Sequence, residues 1–293
     1  MKIIKDILAI EINGDQNYDS LGLANSQKQN TLSFCDDKKF IASINKNESI
    51  TGVFTTSEFS KMISDNKNKV ICSDPRWAFF TLYNHVEEKK YRKVPTKIDK
   101  TATIHHTAHI SEYNVVIGKN VSIGPNTMVY PDVEIKDGCT IGSNSVLGCD
   151  DVEAKFTSKG LINVFHGGKL VINEYVKIWN STTIVKGIYD RDTTIGSGSF
   201  IANNCDIGHG VQIGENSLLL SACVICGSAN VGNNVRVSPG ATISNKVNLG
   251  DNSEVTLGAV VIKDVKPNEK VSGNFAMEHN KFLYKYIKTF GRI

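Results

Sequence analysis

His209 and Gly227 stand eighteen residues apart in a stretch of chain that repeats every six. An imidazole titrates near neutral pH and can take a proton from an attacking amine or hydroxyl. A glycine presents its N–H with no side chain in the way, and one such donor aimed at a developing oxyanion contributes roughly 3–4 kcal/mol. A base beside an oxyanion donor is the minimal equipment for acyl transfer. Spacing alone also fits a polar corner histidine above an ordinary turn glycine. The catalytic reading therefore depends on a geometry that lays residues eighteen apart directly over one another.

The sequence supplies that geometry. From Ile195 to Val261 every sixth residue is aliphatic, through Ile201, Ile207, Ile213, Leu219, Ile225, Val231, Val237, Ile243, Leu249 and Val255. Four residues after each comes a small or compact one, from Ser199, Cys205 and Val211 to Ala259 and Val265. A period of six matches neither the helical repeat nor simple strand alternation. It matches a solenoid of short strands and turns whose coils bury the aliphatic row against their neighbours. Three hexapeptides complete a coil, and coils stack at about 4.7–4.9 Å.

His209 is two places after the inward Ile207, which puts it at an outward corner with Gly227 one coil on. Cys139, Cys205 and Cys223 fall in the compact inward slot, where cysteine acts as a small apolar residue. Cys223 and Cys226 form a CxxC with no second pair, weak support for a metal or redox site.

The repeat starts earlier, at Ile104 and Ile110, and runs in phase from Ile117 to Leu147. It breaks at 150–168, resumes at Ile172, Ile178 and Ile184, and accommodates an extra stretch around Tyr189–Asp192. Both interruptions are expected to loop out of the solenoid. The predicted fold is mainly β, with a parallel β-helix over 99–265.

Residues 1–98 lack the period. A first helix is expected at Ile3, Ile4, Ile7 and Leu8, another at Lys39–Ile44, and a proline-led one at Pro75–Val86. Short strands at Val53–Thr56 and Val70–Cys72 complete a small α/β domain, and the charged run Glu87–Lys100 reads as a linker. After a turn, 266–293 should end in an amphipathic helix at Met277–Phe290.

The 293 residues carry a net charge of +3, without a basic stripe interleaved with aromatics, so nucleic acid is not an expected partner. No apolar run approaches a membrane span. The start MKIIKDILAI meets Glu11 and Asp15 with no small-residue cleavage site, which points to the cytoplasm. His105, His106 and His109 cluster where the repeat begins and invite a metal reading, although two of them are adjacent. His166 reads as a surface-loop histidine.

The hexapeptides resemble those of the left-handed parallel β-helix acyltransferases. The chain as a whole resembles the nucleotide-sugar N-acyltransferases, among them the UDP-3-O-(3-hydroxyacyl)glucosamine N-acyltransferases of lipid A synthesis. The resemblance rests on Thr31-Leu32-Ser33-Phe34 with Phe40, Ser122-Ile123-Gly124-Pro125-Asn126 and the interruption at 150–168. It continues through Ile207-Gly208-His209-Gly210-Val211, Gly227-Ser228 and Val271-Ser272-Gly273-Asn274.

It implies His209 as the base and Gly227 as the oxyanion donor. It implies a thioester along Gly227, Ser228 and Asn245, and a nucleobase held by Phe34 and Phe40. Asp37 falls at a diphosphate-contacting position, and Lys246 is placed to meet phosphate. A homotrimer is implied, with acyl-CoA or an acyl carrier protein as donor substrate and no tightly bound cofactor. The short terminal helix favours CoA.

Four departures stand out. Ala202 replaces an aspartate that orients the base, leaving Asn203 or Asn204 as substitutes. Asn245-Lys246 replaces a second histidine. Asp37 replaces an asparagine and should repel phosphate unless screened. The interrupting loop lacks the family's glycine- and phenylalanine-rich signature. They favour an acceptor that is an unacylated nucleotide-linked amino sugar, UDP- or dTDP-bound, for a cell-surface glycan. The lipid A reaction and a non-catalytic solenoid are the alternatives.

Overall fold

The computed structural model describes Ile7, Leu8, Ile10 and residues 17–273 and 275–291. The chain forms two compact units. The first holds Met1–Pro95 together with Asp150–Lys169 and Lys186–Asp192, and the second holds Thr96–Cys149, Leu170–Val185 and Thr193–Ile293.

The second unit is the solenoid. Its described strands, mostly two or three residues long, form three all-parallel sheets of eight, eight and nine strands. Within the solenoid a strand pairs with the corresponding strand of the next coil, so successive coils stack strand on strand in three sheets. Ile207 lies opposite Ile225, and Ile225 opposite Ile243, which fixes the eighteen-residue coil. The aliphatic row from Ile195 to Val261 is buried throughout, as is the compact slot from Ser199 to Val265.

The corners explain the wealth of asparagine. Asn126, Asn144, Asn204, Asn216, Asn234 and Asn252 adopt φ of 53–58°, a left-handed conformation that asparagine tolerates better than most residues. Other corners are tied from coil to coil by side chains. The N–H groups of Lys119, Glu215 and Asn233 donate to Oδ1 of Asp137, Asn233 and Asp251, each eighteen residues on, at 2.7–2.8 Å. Where chain leaves the solenoid, the register stretches: Leu147 faces Ile184 rather than a residue eighteen on.

The first unit is built on a parallel sheet in the order β1 (Ser20–Leu21), β2 (Thr31–Cys35), β3 (Ile50–Thr55), β4 (Asn68–Ile71). A 3₁₀ turn at Lys38–Phe40 leads into α1 (Ile41–Lys46), α2 (Ser57–Ser60) follows β3, and α3 (Pro75–Lys90) follows β4. Alternation along β2 sends Leu32 and Phe34 into the cluster formed with Phe79, Phe80 and Tyr83 of α3. It sends Cys35 into a second cluster with Ile44, Ile50 and Val53.

Helix α3 begins where Asp74 caps the N–H of Trp77 at 2.8 Å and Pro75 takes the first turn. It runs past the expected end at Val86, because Glu87–Lys90 are good helix formers and Lys90 pairs with Glu87 at 3.0 Å. The linker expected from Glu87 is thus helical in its first four residues.

The segment expected to loop out is a part of this unit. Ala154–Thr157 and Gly160–Asn163 form an antiparallel hairpin. The Ser158 N–H donates to Asp74 at 2.6 Å, Lys159 Nζ lies 3.4 Å from the Trp77 ring centre, and Asn84 exchanges hydrogen bonds with Asn163 O and Phe165 N–H. Ile7 and Leu8 are helical, whereas Ile3 and Ile4 lie outside the described residues. The expected terminal helix is α4, His279–Phe290.

Candidate functional site

Register brings His209 and Gly227 into contact. A Cβ built on Gly227 would lie 2.6 Å from His209 Nε2 and 2.7 Å from Cε1. The imidazole therefore fills space that only a glycine leaves open. Ser228 N–H donates to His209 O at 2.8 Å, and Lys246 N–H donates to Gly227 O at 3.2 Å. The column through this corner is His209, Gly227, Asn245, with Gly210, Ser228 and Lys246 beside it. The N–H of Gly210 donates to Thr193 Oγ1 at 2.8 Å, which fixes the backbone after the histidine.

The amide of Gly227 is among the corner N–H groups left open, and it is the one with an imidazole against it. At the corresponding corners of Lys119, Glu215 and Asn233 the N–H is taken by an Asx side chain one coil on. Asn245 occupies that place here, yet among the described residues no acceptor meets the Gly227 N–H. A donor left open beside an imidazole is the arrangement that acyl transfer uses. His209 is half-buried, and its Nδ1 is shielded from solvent.

The expected substitutes for the missing aspartate are placed differently from each other. Asn203 Oδ1 accepts from the N–H and Nδ2 of Asn180 at 3.0 and 3.2 Å, so it ties two coils together. Asn204 is an exposed corner residue with φ 57°. Ala202 offers no side-chain acceptor; its carbonyl accepts from Thr182 Oγ1 at 2.7 Å and its N–H donates to Leu219 O at 2.8 Å.

The nearby thiols point away from the open corner or are partly buried beside it. Cys223 and Cys205 are buried with sulfurs 3.5 Å apart, inside the solenoid. Cys226 is half-buried, and burial, reinforced by the Asp206 charge, pushes its thiol pKa up and keeps it protonated.

In the first unit Phe34 packs against Phe79 and Phe80 with ring centres 4.9 and 5.4 Å away. Phe40 packs against the second apolar cluster and carries Lys39 Nζ 4.9 Å from its ring centre. Both rings are half-buried, and they serve different clusters. Asp37 caps the 3₁₀ turn, accepting from the Lys39 N–H at 3.0 Å, and pairs with Lys39 Nζ at 2.9 Å. The backbone and side-chain hydrogen bonds from Lys39 hold the Asp37 carboxyl below the usual carboxylate range. The expected repulsion of phosphate is thus partly offset by a cation in contact.

Arg76, whose Nε binds Asp36 at 2.6 Å, is a second cation at this end of the sheet. Neither Lys39 nor Arg76 was legible as a site residue, because solvated lysines and arginines are common and their contacts follow only from the fold.

His166 is not a surface residue. It is 1% exposed, with Nδ1 3.1 Å from Val164 O and Nε2 accepting from Asp151 N–H, so it braces its own segment. The correction follows from that segment folding into the first unit. His105, His106 and His109 are exposed, with the first two rings 4.3 Å apart. Among the described residues no group of three or more His, Cys, Asp or Glu is disposed to hold a metal ion. No described helix is long and apolar enough to cross a membrane.

Residues 114–149 match the family model for the bacterial transferase hexapeptide, six repeats. The UDP-N-acetylglucosamine acyltransferase of Campylobacter jejuni shares the fold with TM-score 0.50 at 23% identity, over 61% of this chain and 72% of that one. The second unit is therefore a left-handed parallel β-helix of hexapeptide coils, the architecture expected from the sequence.

Nearer in sequence are two proteins named UDP-3-O-acylglucosamine N-acyltransferase. The one from Idiomarina loihiensis is 37% identical over 79 residues, 27% of this chain and 23% of its own. The one from Rhizobium johnstonii is 37% identical over 76 residues, 26% of this chain and 21% of its own. The matched stretch thus spans less than a quarter of either relative.

Proposed function

We propose that the protein is an N-acyltransferase that moves an acyl group from a thioester to the amine of a nucleotide-linked amino sugar. The observation that carries this reading is the His209 ring lying against Gly227, whose N–H no described residue accepts. His209 takes a proton from the sugar amine as its nitrogen attacks the thioester carbonyl carbon. The carbonyl oxygen, now an oxyanion, accepts from the Gly227 N–H. Collapse breaks the carbon–sulfur bond, and the imidazolium returns a proton to the departing thiolate. The same names borne by both sequence relatives support a nucleotide amino sugar as acceptor.

In this reading Ser228 and Asn245 flank the donor along the same corner, and Lys246 meets acceptor phosphate. Phe34, Phe40 and the Asp37–Lys39 pair hold the nucleotide. The donor is acyl-CoA or an acyl carrier protein, and the working form is a cytoplasmic homotrimer. The departures at Ala202, Asp37 and Asn245 favour an unacylated amino sugar destined for a cell-surface glycan. The relatives' names support a second reading, in which the acceptor is the O-acylated glucosamine of lipid A synthesis.

Acyl transfer measured with UDP- and dTDP-linked amino sugars, O-acylated or not, and with both donor types, separates these readings. His209→Ala should lower kcat by at least about two orders of magnitude. An unchanged rate in a correctly folded variant removes His209 as the base. No transfer by the parent protein to any acceptor would leave the solenoid a non-catalytic module.

A further inference from the structure

Helix α4 has one apolar face and one cationic face, and neither carries an acid. At about 100° per residue, Phe282, Tyr286, Leu283 and Ile287 span an arc of roughly 140°. Lys281, Lys285 and Lys288 gather on the opposite side. The one acid at this helix, Glu278, is engaged in capping the N–H groups of Asn280 and Lys281 at 2.9 and 3.0 Å.

The apolar face lies open in this chain. Residues 279–289 are all exposed, with Phe282 at 49% and Ile287 at 45%. Just upstream, Phe275 is 61% exposed and Met277 is exposed as well. A twelve-residue helix is marginal in water unless its apolar face is covered.

We infer that α4 is an interfacial helix that docks the protein on a membrane surface bearing anionic lipid. Charge complementarity selects this occupant. A bundle of identical copies would cover the apolar arc but would leave Lys281, Lys285 and Lys288, on the opposite side, without counter-charges. A lipid surface covers the wide apolar arc, while anionic headgroups supply the counter-charges for Lys281, Lys285 and Lys288. Phe282 and Tyr286 suit the boundary between hydrocarbon and headgroups. The helix lies on the surface rather than crossing it, for it is far too short to span. A peripheral acyltransferase would thereby work beside acceptors or products that a membrane holds.

The test is flotation of the full-length protein with vesicles of phosphatidylcholine alone and of an equimolar mixture with phosphatidylglycerol. The protein should float with the mixed vesicles and not with the neutral ones. Replacing Lys281, Lys285 and Lys288 together by Gln should weaken that binding about 100-fold. Phe282→Glu with Ile287→Glu should abolish it, while acyl transfer to a water-soluble acceptor persists.

Light scattering on the same variants distinguishes the rival occupant. If the parent protein binds neither kind of vesicle, and the Phe282→Glu/Ile287→Glu pair dissociates an oligomer, the face is an interface between copies and the membrane assignment fails. Equal flotation with both vesicle types, unaffected by loss of the lysines, also overturns it.

Discussion

At Gly227 a single hydrogen atom decides what the corner can do. The residue is not in the left-handed region, so Gly227→Ala adds a methyl group without backbone strain. The methyl would meet His209 Nε2 at 2.6 Å and push the imidazole aside. Steady-state kinetics should show kcat falling about 100-fold. The melting temperature should move little, because the ring sits at a half-exposed corner. An active Gly227→Ala protein would mean that the imidazole has no fixed role in the chemistry. Lys39→Ala tests the other unit: removing the cation from Asp37 should raise KM for the nucleotide acceptor roughly two- to fivefold and leave kcat alone.

The apposition of His209 and Gly227 was legible from arithmetic, since a six-residue period and three sides per coil leave no other register. The open N–H of Gly227 was not. It depends on Asn245 declining a bond that Asp137, Asn233 and Asp251 each accept, and a sequence does not tell these asparagines and aspartates apart.

Elements of the two units owe their order to different forces, and they should fail differently. Each solenoid strand is too short to stand alone and is held by its inward aliphatic residue. Leu219 is wholly buried between Ile201 and Val237 of the adjoining coils. Leu219→Ala should cost about 2–5 kcal/mol in denaturant unfolding, since the coil cannot collapse onto the void.

Helix α3 depends instead on its cap. Partial burial alone would raise the Asp74 carboxyl, but the N–H groups of Trp77 and Ser158 outweigh it, with the Ser158 hydroxyl and Arg76 adding to them. The net result is a pKa below the ordinary value. A carboxyl lowered on folding stabilises the fold above its unfolded pKa near 3.9 and loses that contribution as pH falls through the folded value. Asp74→Ala should therefore cost about 1 kcal/mol at neutral pH. Its thermal stability should converge with that of the parent protein in strong acid. A constant difference down to the lowest accessible pH would show that the lost cap acts through packing rather than charge.

Across the whole molecule, periodic parts were readable and non-periodic parts were readable only as pieces. The hexapeptide rule placed every inward residue from Ile195 to Val261, because each one answers to the same local requirement. It could only mark 150–168 and 189–192 as interruptions. That these segments complete the first unit depends on contacts such as Asp74 with Ser158 and Asn84 with Phe165, made across some eighty residues of sequence. Phe34 and Phe40 illustrate the same limit: the resemblance implied one aromatic clamp, but Phe34 on β2 and Phe40 in the 3₁₀ turn pack into separate clusters.

Such a division of labour predicts separable footprints in amide hydrogen exchange. The proposed acceptor half of the reaction centres on the first unit, where Asp37, Lys39 and Arg76 gather, with Lys246 of the solenoid for its phosphate. The proposed donor half belongs to the solenoid corner of His209, Gly227 and Asn245. A ligand that binds only the native state slows exchange where it restrains local opening. UDP or dTDP alone should protect β2, the turn at Lys38–Phe40, the start of α3 and, in the solenoid, Lys246. A non-hydrolysable acyl thioester analogue should protect 208–210, 226–228 and 244–246. Protection of the solenoid corner by nucleotide, with the first unit untouched, would transfer nucleotide binding to the β-helix and leave Phe34 and Phe40 as core residues only.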